Sequence, residues 1–314
     1  FRKIMKNLEL RIVNLFMWGE TYSCKDKKLN DKTIIRCDGF TFEFIQCDIT
    51  QKHKSHENER VVTTTVKIQN ITEEQKPQIF EIIDDICWLL SFAQQSPVRC
   101  ETYHNNSPQL RPNSDVKTMR SQKNLIDSHG LEIRKFIEQV YPTFKQLKSS
   151  RQLTVVFDYL CEANHPNLAL EVSLILHYVL IENLKHTFAL EQGYKEKSGK
   201  YFHPQYPPQN HLCINKKSYC FNENIGQYIH KKYGKCGTSE MTKRMFEDVG
   251  ISREITKDII EKRNTIIHEG ILLPFNDPNY SKQAREDLHD VSDLIRKYLL
   301  TLLNYKGNYY LSRD

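Results

Sequence analysis

One segment of the sequence, from Asn167 to Leu190, is apolar on almost every side when it is read as a helix. Its apolar residues include Leu168, Leu170, Val172, Leu174, Ile175, Leu176, Val179, Leu180, Ile181 and Leu184. Such a helix has no polar face to turn to water, so other elements must surround it. The chain is therefore constrained to pack several elements around a central buried helix.

Three further segments have apolar residues at helical spacing, and from residue 146 onward the pattern is helical almost throughout. They are Gln152–Glu162, Ser252–His268 and Asp277–Asn304. Ser252 is a suitable N-cap, and Gly270 and Pro274 follow the second of these helices. Together with the central helix they predict an antiparallel four-helix bundle, in an all-α domain over residues 146–314.

The first half of the chain mixes strands with one helix. Phe40–Ile45 alternates apolar and polar residues, and Val61–Ile68 is rich in β-branched residues, so both are predicted strands. Apolar residues recur at helical spacing from Thr72 to Ala93. Polar Gln51–Arg60 and Asn105–Asn113 read as loops. We therefore predict an α+β N-terminal domain over residues 1–145.

Composition excludes several classes of protein. No uncharged apolar run approaches the length of a membrane span, which is about 20 residues. The N-terminal residues show no secretory signal pattern. The nine cysteines contain no CxxC pair, which is typical of reduced thiols in the cytoplasm. The absence of GxGxxG, GxSxG and P-loop motifs removes the main support for dinucleotide-binding, α/β-hydrolase and P-loop proteins.

The net charge of +6 lies entirely in one segment, Gly193–Cys236, which holds eight lysines and two acidic residues. Aromatic residues are interleaved with these lysines, a combination suited to phosphates and unpaired bases. The predicted RNA-binding residues are Lys216, Lys217, Lys231, Lys232, Tyr201, Phe202 and Tyr219. The alternative is a solvated loop whose aromatic side chains pack locally.

The same insert contains cysteine and histidine residues that raise the question of a zinc site. They are Cys213, Cys220, Cys236, His203, His211 and His230. Their spacing fits no familiar closed zinc pattern, so no metal is expected, and a structural zinc is kept only as a hypothesis to test.

The segment Arg263-Asn264-Thr265-Ile266-Ile267-His268 carries the most informative pattern. On an ideal helix Arg263 lies within the apolar arc, where its guanidinium must reach solvent or meet an anion. Asn264 and His268 share one edge of the helix. Imidazole, with a pKa of about 6.5, can move a proton at a ribose 2′-OH while arginine stabilises the phosphate. The alternative is a structural ion pair and a favourable helix C-terminus.

This segment resembles the R-x4–6-H motif of the HEPN superfamily of ribonucleases. Leu174–Leu184, Pro274 and the final amphipathic helix ending at Tyr305–Leu311 resemble its Apea-like branch, found in prokaryotic abortive-infection and defence proteins. The resemblance covers about residues 150–312. It implies an all-α HEPN bundle after the α+β domain. The α+β domain is itself weakly similar, over Cys87–Ala93, to the sensing or regulatory domains that precede such bundles.

The resemblance further implies a metal-independent endoribonuclease that needs no cofactor and leaves 2′,3′-cyclic phosphate and 5′-OH ends. Arg263 would hold the phosphate, His268 would act as acid and base, and Asn264 would orient the phosphate. It also implies a cytoplasmic toxin or antiphage defence effector, with a phage-derived or antitoxin regulator as a candidate partner. Gly270 stands where one branch carries a regulatory tyrosine, which argues against control by adenylylation.

Two rival functions remain at this point. One is a HEPN scaffold that binds or senses RNA without cutting it. The other is a zinc-stabilised interaction protein built around the insert.

Glu182 is a fourth candidate site residue, because helical spacing places its carboxylate on an apolar face of the central helix. It needs a partner there, and Arg263 and His186 are the two alternatives.

The helix that carries Arg263 and His268 also predicts a homodimer, because the apolar residues Ile260 and Ile267 lie between these two side chains. A second copy would supply the second histidine that cleavage requires.

Overall fold

The computed structural model describes residues 6–24, 30–47, 61–104, 107–110, 124–197, 199–203, 211–214, 217–222, 227–230, 235–269 and 279–312. The backbone alone is described for residues 102–104, 107–110, 211–214, 217–222, 227–230, 235–236, 264–265 and 267–269. The predicted loop Gln51–Arg60 lies outside the described residues.

The chain divides into two compact units. Unit 1 consists of Phe1–Lys148, Leu153–Ser173 and Leu299–Asp314, and unit 2 of Ser149–Gln152 and Leu174–Tyr298. Residues 153–173 and 299–314, which the sequence analysis assigns to the C-terminal domain, therefore belong to unit 1. The predicted domain boundary between residues 145 and 146 stays a prediction.

Unit 1 contains a six-stranded antiparallel sheet. Its strands are β1 (Lys6–Val13), β2 (Lys32–Cys37), β3 (Phe40–Gln46), β4 (Val62–Ile71), β5 (Arg99–His104) and β6 (Ser107–Leu110). They are arranged in the order β2-β3-β4-β1-β5-β6. Asp38 and Gly39 join β2 to β3 with φ of 48° and 80°, as a two-residue hairpin turn requires.

Helices α1 (Lys76–Gln94), α2 (Gly130–Leu147) and α3 (Leu153–Ala163) complete unit 1. A 3₁₀ turn, Glu73–Gln75, precedes α1, and Gln75 accepts a hydrogen bond from the Thr72 amide at 2.8 Å. α1 packs against α2 and α3. The ring of Phe92 from α1 stacks on Phe157 from α3 with 4.8 Å between centroids, and this contact draws α3 into the first unit.

Unit 2 is built from helices and two small sheets. Its helices are α4 (Leu170–Glu191, from Leu174 onward), α5 (Thr238–Asp248), α6 (Arg253–Glu269) and α7 (Tyr280–Leu302, as far as Tyr298). Between α4 and α5 lie β7 (Lys195–Lys197), β8 (Lys200–Phe202), β9 (His211–Ile214), β10 (Lys217–Asn222), β11 (Gln227–His230) and β12 (Lys235–Gly237). These strands form the antiparallel sheets β12-β8-β7 and β11-β10-β9.

The chain is therefore a mixed α+β protein, and the predicted long helices are present as α1, α3, α4, α6 and α7. The prediction that the C-terminal half is all-α is wrong for residues 195–237. Several of the short strands described there contain aromatic residues, which favour strands. The predicted loop Asn105–Asn113 is also corrected, because it contains β6. The prediction did not include β1, β2, α2 or α5.

In the described part of the chain, no helix combines the length and the apolar character that crossing a bilayer requires.

Candidate functional site

Helix α6, which carries Arg263, is held in unit 2 by ion pairs at its first residue and just past its middle. Its N-terminal Arg253 forms ion pairs with Glu247 and, at 3.1 Å, with Glu240, both on α5. Just past the middle of the helix, the Lys262 ammonium lies 2.6 Å from Asp287 of α7, whose side chain is 3% exposed. These contacts hold the helix that carries the predicted catalytic motif.

The connection between α5 and α6 is a tight turn that glycine makes favourable. Gly250 has φ of 78°. The amide of Ile251 donates to the carbonyl of Phe246 at 2.9 Å, and the amide of Gly250 donates to that of Glu247 at 2.9 Å. This pair of hydrogen bonds is the Schellman arrangement at a helix C-terminus, and it ends α5.

The apolar arc of α6 is only partly buried. Ile259, Ile260 and Ile266 are buried, whereas Ile255 at the start of the arc is 57% exposed. Arg263 lies within this arc, and its side chain is 19% exposed. A guanidinium in such an arc must reach solvent or meet an anion, and Arg263 meets an anionic side chain as its partner.

That partner is Glu182 on α4. The Arg263 Nη2 atom lies 3.1 Å from Glu182 Oε1. The predicted pairing with Arg263 is thus confirmed, and the alternative pairing of Glu182 with His186 is wrong. His186 instead lies 3.1 Å from Glu196, because its side chain points outward, where both partners are more than 40% exposed.

Sequence reasoning missed a third charged member of this cluster. The Lys185 ammonium forms an ion pair with Glu182 Oε2, and the Lys185 side chain is only 3% exposed. It also lies 5.7 Å from the centre of the Tyr201 ring. The available signal was a lysine one turn after Glu182 in a helix that is apolar on nearly every side.

Burial determines the electrostatics of Lys185. It lowers the pKa of the ammonium below the ordinary value of 10.5, and the nearby Arg263 lowers the pKa further. The hydrogen bond and charge of Glu182 act in the opposite direction. One carboxylate therefore binds a cation with each of its oxygens, Lys185 on one side and Arg263 on the other.

This cluster borders a small, partly open cleft, whose room for a water-sized molecule is about 10 Å³. Its walls are formed by Glu182 and Arg263, by the apolar side chains of Tyr178, Ile181, Ile259 and Ile260, and by Thr238, Ser239 and Thr242 at the beginning of α5. Thr242 donates to the Thr238 carbonyl at 3.1 Å, and Thr238 donates to the Gly199 carbonyl at 3.3 Å. Because these two hydroxyls already donate their single protons to backbone carbonyls, the cleft groups suited to bind an anion are the Arg263 guanidinium and the Ser239 hydroxyl.

Asn264 and His268 lie on α6, one and five residues after Arg263. The helix is continuous from Arg253 to Glu269, so its backbone places them one turn apart. Their side chains lie outside the described residues. A proton-transfer role for His268 stays a prediction.

The structure corrects the reason given for a homodimer. Ile260 is 8% exposed and already lines the cleft within unit 2, so it offers little free surface to a second copy. The Ile267 side chain lies outside the described residues. The homodimer itself stays a prediction.

The predicted RNA-binding residues of the insert have different outcomes. Tyr201 is 2% exposed, so its ring is not available to stack on a base, and its inclusion was wrong. Phe202 is half-buried at the end of β8. Lys217 and Tyr219 lie on β10, where Tyr219 is paired with Leu212 and His230. Lys216, Lys231 and Lys232 lie outside the described residues.

Among the side chains that the structure describes, no group of three or more histidine, cysteine, aspartate or glutamate residues could hold a metal ion. Five of the six residues in the zinc hypothesis, all except His203, lie where only the backbone is described. The zinc alternative therefore stays a prediction.

Comparisons with protein-family models, with curated proteins and with solved structures find no match to this chain. The interpretation of the site therefore depends on its residues and their geometry.

Proposed function

We propose that this protein is a metal-independent endoribonuclease of the HEPN type. The observation that carries the proposal is the Arg263 guanidinium, held by Glu182 at 3.1 Å beside a cleft, on the helix that also carries Asn264 and His268. An arginine fixed in this way is prepared to bind a phosphate without reorganising during the reaction. We also propose that α4, α6 and α7 belong to a HEPN bundle.

In the proposed reaction, the ribose 2′-oxygen attacks the adjacent phosphorus, and the bond to the 5′-oxygen breaks. One His268 imidazole takes the 2′-OH proton, and a protonated imidazole gives a proton to the departing 5′-oxygen. Arg263 stabilises the charge on the phosphoryl oxygens, and Asn264 orients the phosphate. The products are a 2′,3′-cyclic phosphate and a 5′-OH end.

This reaction needs an acid and a base at the same time, and each chain carries one such histidine. We therefore propose a homodimer in which the α6 helices of two copies contribute to one cleft, as an isologous contact permits. The insert would guide the RNA through Lys216, Lys217, Lys231 and Lys232, with Phe202 and Tyr219 as stacking residues. In cells the enzyme would act in the cytoplasm as a toxin or antiphage defence effector.

One observation favours a second candidate function. The Arg263–Glu182 ion pair is also what a purely structural arginine would form. On that view the protein is a HEPN scaffold that binds or senses RNA without cutting it.

The test is incubation of end-labelled single-stranded RNA with the protein in EDTA, followed by analysis of the RNA ends. We expect cleavage with cyclic phosphate ends, and a loss of about 10²–10⁴ in rate for His268→Ala and for Arg263→Ala. His289→Ala, which changes an exposed histidine on α7, is the matched control and should cleave normally. Retention of RNA without cleavage would instead support the scaffold.

A further inference from the structure

Lys185 lies beside the proposed active site, yet the reaction described above does not use it. Its ammonium is nearly fully buried, and the structure pairs it with Glu182. Burying a long cationic side chain is costly, because the charge loses its hydration and the side chain its freedom. A methionine or leucine at this place would avoid that cost.

The geometry of the Glu182 carboxylate indicates what the buried lysine does. Glu182 Oε2 contacts Lys185, and Glu182 Oε1 contacts Arg263 at 3.1 Å. With Lys185 present, the carboxylate cannot rotate to offer both oxygens to the guanidinium. Glu182 consequently contacts Arg263 through one carboxylate oxygen instead of forming a two-point arginine–carboxylate pair.

The formal charges of these three side chains are two positive and one negative. Without Lys185, Glu182 would cancel the charge of Arg263, and an arginine neutralised by its own partner is a weaker ligand for phosphate. With Lys185, the cluster retains one positive charge at the edge of the cleft. Glu196, a second acid near Lys185, faces His186 at 3.1 Å.

We propose that Lys185 is a positioning residue for Arg263, which keeps half of the Glu182 carboxylate occupied so that the cleft stays cationic and binds the phosphodiester of a single RNA strand. This inference rests on the proposed function. Lys185 acts through Glu182 and Arg263, and it does not touch the substrate.

The test compares Lys185→Met, Lys185→Arg and the control Lys257→Met. Lys257 also lies near Arg263 in sequence, on α6, but its side chain is 69% exposed. If the charge of Lys185 matters, we expect Lys185→Met to lose about 10- to 100-fold in kcat/KM for RNA cleavage. Lys185→Arg keeps the charge, so its kcat/KM should lie within about threefold of the wild-type value. Lys257→Met should have the wild-type kcat/KM.

A role in packing alone predicts the opposite order. Methionine fits a buried lysine site with little strain, whereas the larger guanidinium does not. Wild-type kcat/KM in Lys185→Met, or a loss in Lys185→Arg as large as in Lys185→Met with both proteins folded, would overturn the proposal. Thermal unfolding establishes which variants are folded. If Lys185→Arg does not fold, the salt dependence of RNA binding decides, and an unchanged slope in Lys185→Met overturns the proposal.

A measurement with inorganic phosphate separates this inference from the proposed function. Phosphate should raise the unfolding temperature of wild type. The apparent affinity for phosphate obtained from this shift should be at least about tenfold weaker in Lys185→Met. If wild type binds phosphate without cleaving RNA, the proposed function fails, and the Lys185 variants still test the positioning role. If phosphate stabilises wild type and Lys185→Met equally, the positioning role fails. If wild type neither cleaves RNA nor binds phosphate, both proposals fail.

Discussion

Replacing Glu182 with glutamine removes the charge that stabilises the buried Lys185 ammonium, and the resulting loss of stability can be bounded. Removing one partner of a buried ion pair costs about 3–5 kcal/mol. The native state can instead release the Lys185 proton. From an ordinary pKa of 10.5, neutralisation at pH 7 costs at most about 4.8 kcal/mol, at about 1.36 kcal/mol per pH unit. We expect a loss of about 3 kcal/mol in the free energy of unfolding at pH 7.

The lowered pKa of Lys185 fixes the sign of the pH dependence of stability. The native pKa of Lys185 is lowered, so between that pKa and 10.5 the unfolded state binds more protons and stability rises with pH. In Glu182→Gln this pKa falls further, because the carboxylate that raises it is gone. At pH 9 neutralising the lysine costs at most about 2 kcal/mol, so the loss caused by Glu182→Gln should shrink.

The double variant tests whether the buried charge is the cause. Lys185→Met alone should change the free energy of unfolding by less than about 1 kcal/mol, because it removes the cost of burial together with the pair. Glu182→Gln/Lys185→Met should therefore be about 2 kcal/mol more stable than Glu182→Gln. Glu196→Gln, in the exposed pair with His186, is the matched control and should change stability by less than about 0.5 kcal/mol.

The assay is urea unfolding at pH 7 and pH 9, followed by far-UV circular dichroism. Fluorescence is unsuitable, because both tryptophans, Trp18 and Trp88, lie in unit 1, whereas the cluster lies in unit 2. A loss below about 1 kcal/mol for Glu182→Gln at pH 7, or a double variant no more stable than Glu182→Gln, would refute the reasoning.

Three other predictions concern different parts of the molecule. Burial raises the pKa of Cys100 and Cys161 to about 12, so mass spectrometry should find them unmodified by iodoacetamide at pH 8 while the exposed Cys24 is modified. Gly250→Ala should cost about 1 kcal/mol in thermal unfolding, because the residue has φ of 78° and free space around it. Neutralising the four predicted RNA-binding lysines should flatten the salt dependence of RNA binding by about 0.7 log units per lost phosphate contact, and an unchanged slope would place the RNA elsewhere.

Periodicity along the chain was sufficient to predict the helices α1, α3, α4, α6 and α7 and the two strands β3 and β4, but not the helix α2. In these segments the burial of one face decides the structure, and the spacing of apolar residues indicates which face is buried. The same spacing grouped Glu182 with Ile175 and Val179, but these two side chains are 38% and 41% exposed, so the expectation that α4 is buried on every side is wrong. The ion pair of Glu182 with Arg263 is present, although Glu182 itself is 31% exposed. The sheets formed by residues 195–237 were missed, because charge and aromatic content dominated a pattern of strands only three to six residues long.

The sequence by itself was sufficient to select the candidate site residues: an arginine in an apolar arc, a carboxylate on an apolar helix, and a histidine five residues after the arginine. Only the tertiary structure decided how their charges combine. Lys185 and Glu182 are neighbours on one helix, but Arg263 lies about 80 residues further along the chain, and no local pattern indicates that both cations reach the same carboxylate. Burial of Tyr201 and Ile260 was likewise decided by packing, because exposure depends on what other segments cover a side chain.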